Sequence, residues 1–120
     1  MTYRKTMPEM AVIFRKDRGK DATVTAVFPT EPASYHYGEM TCYSHVGQHS
    51  GCSHNWYIAT RAANPAEYAD LLAELRQIYE QDEDQPVKLV VRQRITRQMQ
   101  HEYRRNYQPL PAEWLSFDDL

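Results

Sequence analysis

The sequence predicts an α+β domain: a small antiparallel sheet of four to five strands, one amphipathic helix packed on a face, and a C-terminal helix and tail. Two patterns carry that expectation. Residues 10–16 and 22–28 are β-branched and apolar with a polar turn between them, while residues 65–79 repeat apolar side chains at helical spacing behind a strong cap. A chain of 120 residues makes one modest core and no second domain.

The elements follow in order. Met10–Lys16 reads as a first strand, Asp17 to Asp21 as a turn with Gly19 at its centre, and Ala22–Phe28 as a second strand closing a hairpin. Pro29 and Pro32 are expected to stop pairing, which makes residues 29–38 a loop. Residues 39–46 form a third strand, Gly47 to Gly51 a turn, and Asn55–Thr60 a short fourth strand. Asn64 caps the helix, Pro65 occupies its first position and Glu67 answers the cap. Tyr68, Leu71, Leu72, Leu75, Ile78 and Tyr79 form its apolar stripe. The near-continuous apolar run Val-Lys-Leu-Val-Val after Pro86 predicts a central strand. Thr96 caps a second helix whose apolar seam, Met99, Tyr103 and Tyr107, is thin. Residues 1–95 are thus read as the domain, and residues 96–120 as a basic helix followed by an acidic, aromatic docking tail with Trp114, Leu115 and Phe117.

Charge is segregated along the chain although the net charge is only −2. Residues 67–84 carry seven acids against Arg76, and residues 88–105 carry six bases against Glu102. Arg4, Lys5, Arg15, Lys16, Arg18 and Lys20 are expected to join the basic pole. The small negative total argues against wholesale affinity for nucleic acid. No apolar run reaches the roughly 18–20 residues of a membrane helix. No apolar stretch near the N-terminus resembles an export signal, so a cytoplasmic setting with reduced cysteines is the expectation.

Four of the five histidines and both cysteines fall within residues 36–54. Cys42, Tyr43, His45, Gln48 and His49 are the candidate functional loop. Cys42, His45, His49 and Cys52 are the candidate ligands of a zinc ion, the one cofactor considered. An extended strand would turn Cys42 and His45 to opposite faces, and the alternative is a packed core cysteine with histidines bonding the loop. A thiolate–imidazolium pair oriented by Asn55 or Glu39 is the catalytic alternative, but no nucleophile motif flanks either cysteine, so no catalytic residue is assigned and the chain is read as a non-enzyme. Arg92, Arg94, Arg97, Arg104 and Arg105, interleaved with His101, Tyr103 and Tyr107, are candidates for tracking a phosphate backbone while the rings stack on bases.

The stretches Val12-Ile13-Phe14-Arg15-Lys16, Ala26-Val27-Phe28-Pro29, Cys42-Tyr43-Ser44-His45-Val46-Gly47-Gln48-His49 and Pro65 to Leu75 resemble a family of small uncharacterised proteins of bacterial plasmids, prophages and conjugative elements. The resemblance spans roughly residues 10–95. It implies a mobile genetic element as the setting and a single-domain layout, and carries over no catalytic residue. Nine tyrosines and two tryptophans suit protein contacts. The expected function is therefore a non-catalytic accessory protein that binds a protein partner or itself. Nucleic-acid binding through residues 88–105 and zinc binding through residues 42–54 are the alternatives.

Overall fold

A computed structural model describes residues 7–19, 23–34, 36–44 and 49–108. The chain is α+β, with six strands and three helices among these residues. Strand β1 (Glu9–Lys16) pairs antiparallel with β2 (Val24–Pro32), Ile13 opposite Val27 and Lys16 opposite Val24. β2 pairs with β3 (Met40–Tyr43), and β3 with β4 (His49–Cys52). On the far side of β1 lie β5 (Arg61–Ala62), antiparallel to its C-terminal end, and β6 (Lys88–Val91), parallel to its N-terminal half.

The strands alternate, and both faces are covered. Val12, Phe14, Ala26, Phe28 and Tyr43 point to the face packed by α2 (Pro65–Tyr79), where Leu71 and Leu75 complete the core. Val27, Met40, Cys42 and Cys52 point the other way, under α3 (Arg97–Asn106), which contributes Tyr103, and under Trp56 and Tyr57 of α1 (His54–Ala59). α2 begins as its sequence predicts. Asn64 Oδ1 accepts from Glu67 N–H at 2.9 Å, and the Glu67 carboxylate accepts in turn from Asn64 N–H at 3.0 Å. Tyr68 stacks on Phe14 with ring centroids 4.3 Å apart.

Five expectations are corrected. Residues 29–32 are strand and not loop, because β2 bulges between Phe28 and Pro32, which takes the fully buried Pro29 out of the ladder with β3 before Pro32 pairs opposite Met40. The expected turn at 47–51 gives way at His49 to β4, and the expected strand at 55–60 is helix α1. Ser53 supplies the reason, since its hydroxyl caps the Trp56 N–H at 3.1 Å, a start signal masked by the β-forming side chains of Trp56, Tyr57 and Ile58. Among the described strands β6 lies at an edge, paired only with β1, and its apolar run is explained by Leu89 buried under α2 with Val90 and Val91 half-covered. The basic pole also loses members. Arg15 donates to Thr60 Oγ1 and to the Thr60 and Tyr57 carbonyls, lies over the Tyr57 ring, and so closes the end of α1. Lys16 and Arg61 both pair with Glu67, which holds that carboxyl well below the usual range.

Ile78 departs from the apolar stripe, 41% exposed while Leu75 is fully covered. Truncating Leu75 to Ala is expected to cost about 3 kcal/mol in urea unfolding, from lost transfer free energy plus a cavity. Ile78→Ala is expected to cost under about 1 kcal/mol, because little of its apolar surface leaves water on folding. Equal losses at the two positions would contradict this packing.

Candidate binding face

The period-two alternation of the β3–β4 hairpin decides the fate of the His/Cys cluster. Tyr43 opposes His49 on the α2 face, whereas Cys42 and Cys52 lie on the α3 face. The described members of the zinc set therefore do not converge, and His45 and Gln48 lie outside the described residues. Among the described residues no group of three or more His, Cys, Asp or Glu side chains is arranged to hold a metal ion. His49 sits in an aromatic corner. Its ring centroid is 4.9 Å from Tyr43 and 6.1 Å from Phe28, and Nε2 shares a hydrogen bond of 2.6 Å with the Tyr79 hydroxyl. Burial pushes the Tyr79 phenol up, with the Glu31 charge adding to it. His54, at the start of α1, stacks its ring on Tyr57, while the Glu39 carboxylate accepts from the Ser34 hydroxyl at 2.6 Å.

The basic segment behaves differently. Thr96 caps α3 by accepting from Met99 N–H at 3.2 Å. The thin seam is sufficient, because Met99 and Tyr103 are buried and polar side chains secure what they leave. The Tyr103 hydroxyl accepts from Gly38 N–H and donates to the Glu39 carbonyl, each at 2.8 Å. Asn106 Nδ2 donates to the Thr30 carbonyl at 2.8 Å. α3 thus lies across β2 as part of the same packed body as the sheet. Tyr103, a candidate for stacking on bases, is instead a core residue whose hydroxyl is fully engaged. Tyr107 is half-buried and stacks on it.

With one side of α3 so anchored, Arg97, His101, Arg104 and Arg105 fall on the exposed side, spaced four and three or four residues apart. Arg92 and Arg94 are exposed on the segment leading into the helix. Among the described residues no carboxylate lies within ion-pair distance of any of these five arginines. Arg104 Nε donates to the Tyr37 hydroxyl at 3.3 Å, and the Tyr37 ring meets Tyr103 and Tyr107 edge-on. Tyr37 is 57% exposed, and it escaped the sequence reading because only the fold brings it to a helix some sixty residues further on.

A cleft flanks α3 on each side. The smaller, about 210 Å³, lies between Tyr37, His54, Gln100 and Arg104 over Met40 and Ile95. It unites the end of the His/Cys segment with the basic helix, the two regions singled out in the sequence. The larger, about 400 Å³, opens between β1, β6 and α3 and is rimmed by Glu9, Arg92, Gln98 and Glu102. Burial raises the Glu31 carboxyl, against a hydrogen bond from Thr30, and Glu102 raises it further.

Two outcomes test this geometry. Tyr103→Phe strands the Gly38 N–H and is expected to cost about 1–3 kcal/mol in urea unfolding. Glu31 ionises less readily folded than unfolded, so its charge destabilises the fold as pH rises through the raised pKa and does so least below the ordinary carboxylate value of about 4.3. Glu31→Gln should therefore stabilise the protein at pH 7 and lose that advantage in acid, and a gain that grew toward low pH would reverse the sign. Compared with known proteins, the chain matches no family model, and no curated protein or solved structure gives a significant match.

Proposed function

We propose that this chain is a non-catalytic binding protein that docks an acidic protein surface on the exposed side of α3. The observation that carries the reading is the row of Arg97, Arg104 and Arg105, flanked by Arg92 and Arg94, exposed and without a carboxylate partner among the described residues. Arginine and tyrosine are the side chains that anchor protein interfaces, and Tyr37 stands beside Arg104 with more than half its surface exposed. The acidic helix α2 covers the opposite face of the sheet, so the basic side is not neutralised from within. The same polarity lets one copy dock α3 on the α2 of another, which makes self-association a form of the same binding. An accessory role in a mobile genetic element, within the cytoplasm, accords with the resemblance of residues 10–95 described above.

Nucleic acid is the second reading, favoured by the all-arginine composition of the row and by an exposed ring beside it. Glu9 and Glu102 stand against it, because they border the larger cleft beside the row and repel a polyphosphate.

The test is fluorescence anisotropy with a labelled oligoglutamate peptide and a labelled single-stranded oligonucleotide, each titrated across a range of salt. The peptide is expected to bind the wild type and to lose tenfold or more in affinity to an R97A/R104A/R105A variant, since three weakened charge contacts sum to about 1.4 kcal/mol or more. Tighter binding of the oligonucleotide, with a steep log–log salt slope, transfers the assignment to nucleic acid. Sedimentation velocity at low and high salt reads the self-association form.

A further inference from the structure

Cys42 and Cys52 occupy the two arms of the β3–β4 hairpin and face the same side of the sheet. Met40 opposes Cys52 and Cys42 opposes Ser50, so the thiols are diagonal neighbours. Both are free, and both are buried in one cluster with Val27, Met40 and Tyr103. Cys52 and Ser50 are the polar neighbours of the Cys42 thiol, and Ser50 Oγ lies 3.2 Å from Cys42 Sγ. Packing alone accounts for two small apolar side chains in a core, but it does not require them to converge with a hydroxyl at the sheet's edge. Hydrogen bonds from Cys52 and then Ser50 lower the Cys42 thiol against the effect of burial. The Cys52 thiol is raised by the same contact, by burial and by the charges of Cys42 and Glu39. These contacts favour the thiolate at Cys42 and disfavour it at Cys52.

We propose that Cys42 and Cys52 form a redox-active dithiol that closes reversibly to a cross-strand disulfide by exchange with a small-molecule disulfide such as oxidised glutathione. The Cys42 thiolate attacks one sulfur of the oxidant, forming a mixed disulfide and expelling one glutathione thiolate. Cys52 then loses its proton to solvent and attacks Cys42 Sγ, the protein disulfide forms, and the second glutathione leaves as a thiolate. The two cysteines give up two electrons and the oxidant takes them. Access is through β4, an edge strand in which His49, Ser50 and Gly51 are exposed.

The register also sets the character of the bond. Diagonal neighbours on antiparallel strands lie about 7–8 Å apart, just beyond the usual span of about 4.4–6.8 Å between bridged Cα atoms. Closing the disulfide must draw β4 inward, and the strain makes the product easy to reduce. The site is reversible for that reason. It operates whether or not the α3 face binds a partner.

The test is intact-mass spectrometry of the full chain after incubation with oxidised glutathione at pH 7. The expected product is lighter by two hydrogens, carries no glutathione, and returns to the starting mass in reduced glutathione. Cys52→Ser is expected to stop at a single glutathione adduct on Cys42. Cys42→Ser should react about tenfold more slowly or worse, because the remaining thiol has lost its activating arrangement. An unchanged mass under conditions that modify the urea-unfolded chain overturns the proposal, as does a wild-type protein that takes two glutathiones without closing. The wild-type measurement decides the matter even if a serine variant fails to fold.

Discussion

The β1–β2 pair is the constraint on which everything else depends. Its side chains are buried on both faces, Val12, Phe14, Ala26 and Phe28 on one and Ile13 and Val27 on the other. A strand pair that is apolar on both faces cannot leave either in water, so each must be covered by a helix. α2 brings a stripe wide enough to cover one face by hydrophobic burial alone. α3 does not. Its two buried residues are supplemented by the Tyr103 hydroxyl and the Asn106 amide, which attach the helix to backbone groups on either side of the Pro29–Gly38 segment. Those bonds set the rotation of the helix about its axis, and that rotation puts the arginines on the outside.

From this follows the polarity of the molecule. The acidic and basic stretches are neighbours in sequence but are separated in space by the thickness of a sheet. Exposed ion pairs contribute little to stability, so neutralising the arginines within the chain would gain little. Leaving them without a carboxylate partner among the described residues instead sustains a local positive field on one face. Arg15 and Lys16 show the contrasting case, each committed to an internal partner that completes a helix end.

The hairpin shows why closeness in sequence is a weak guide to a metal or catalytic site. Cys42, His49 and Cys52 fall within eleven residues, yet strand alternation sends His49 to one side of the sheet and both thiols to the other. What survives of the cluster is the part whose spacing suits the fold of a hairpin. Two cysteines on the two arms, turned to the same face, lie diagonally across the hairpin from each other.

The α+β class, the β1–β2 hairpin, the cap and stripe of α2 and the start of α3 at Thr96 were legible in the sequence, because local periodicity and side-chain–backbone capping are properties of a few neighbouring residues. The candidate arginines were legible for the same reason, as a stretch of six bases against a single acid. Tertiary structure alone decided the rest. The helical state of residues 54–59 rests on Ser53 capping against a strong β-forming composition, and on Arg15 reaching from another strand to close its end. The passage of β2 through two prolines depends on a bulge opposite β3, and the edge position of β6 on which side of β1 was open. The sorting of the His/Cys cluster, the burial of Tyr103 and the place of Tyr37 beside Arg104 are facts of register and helix rotation. They are set by contacts between residues far apart in the chain, where no local pattern reaches.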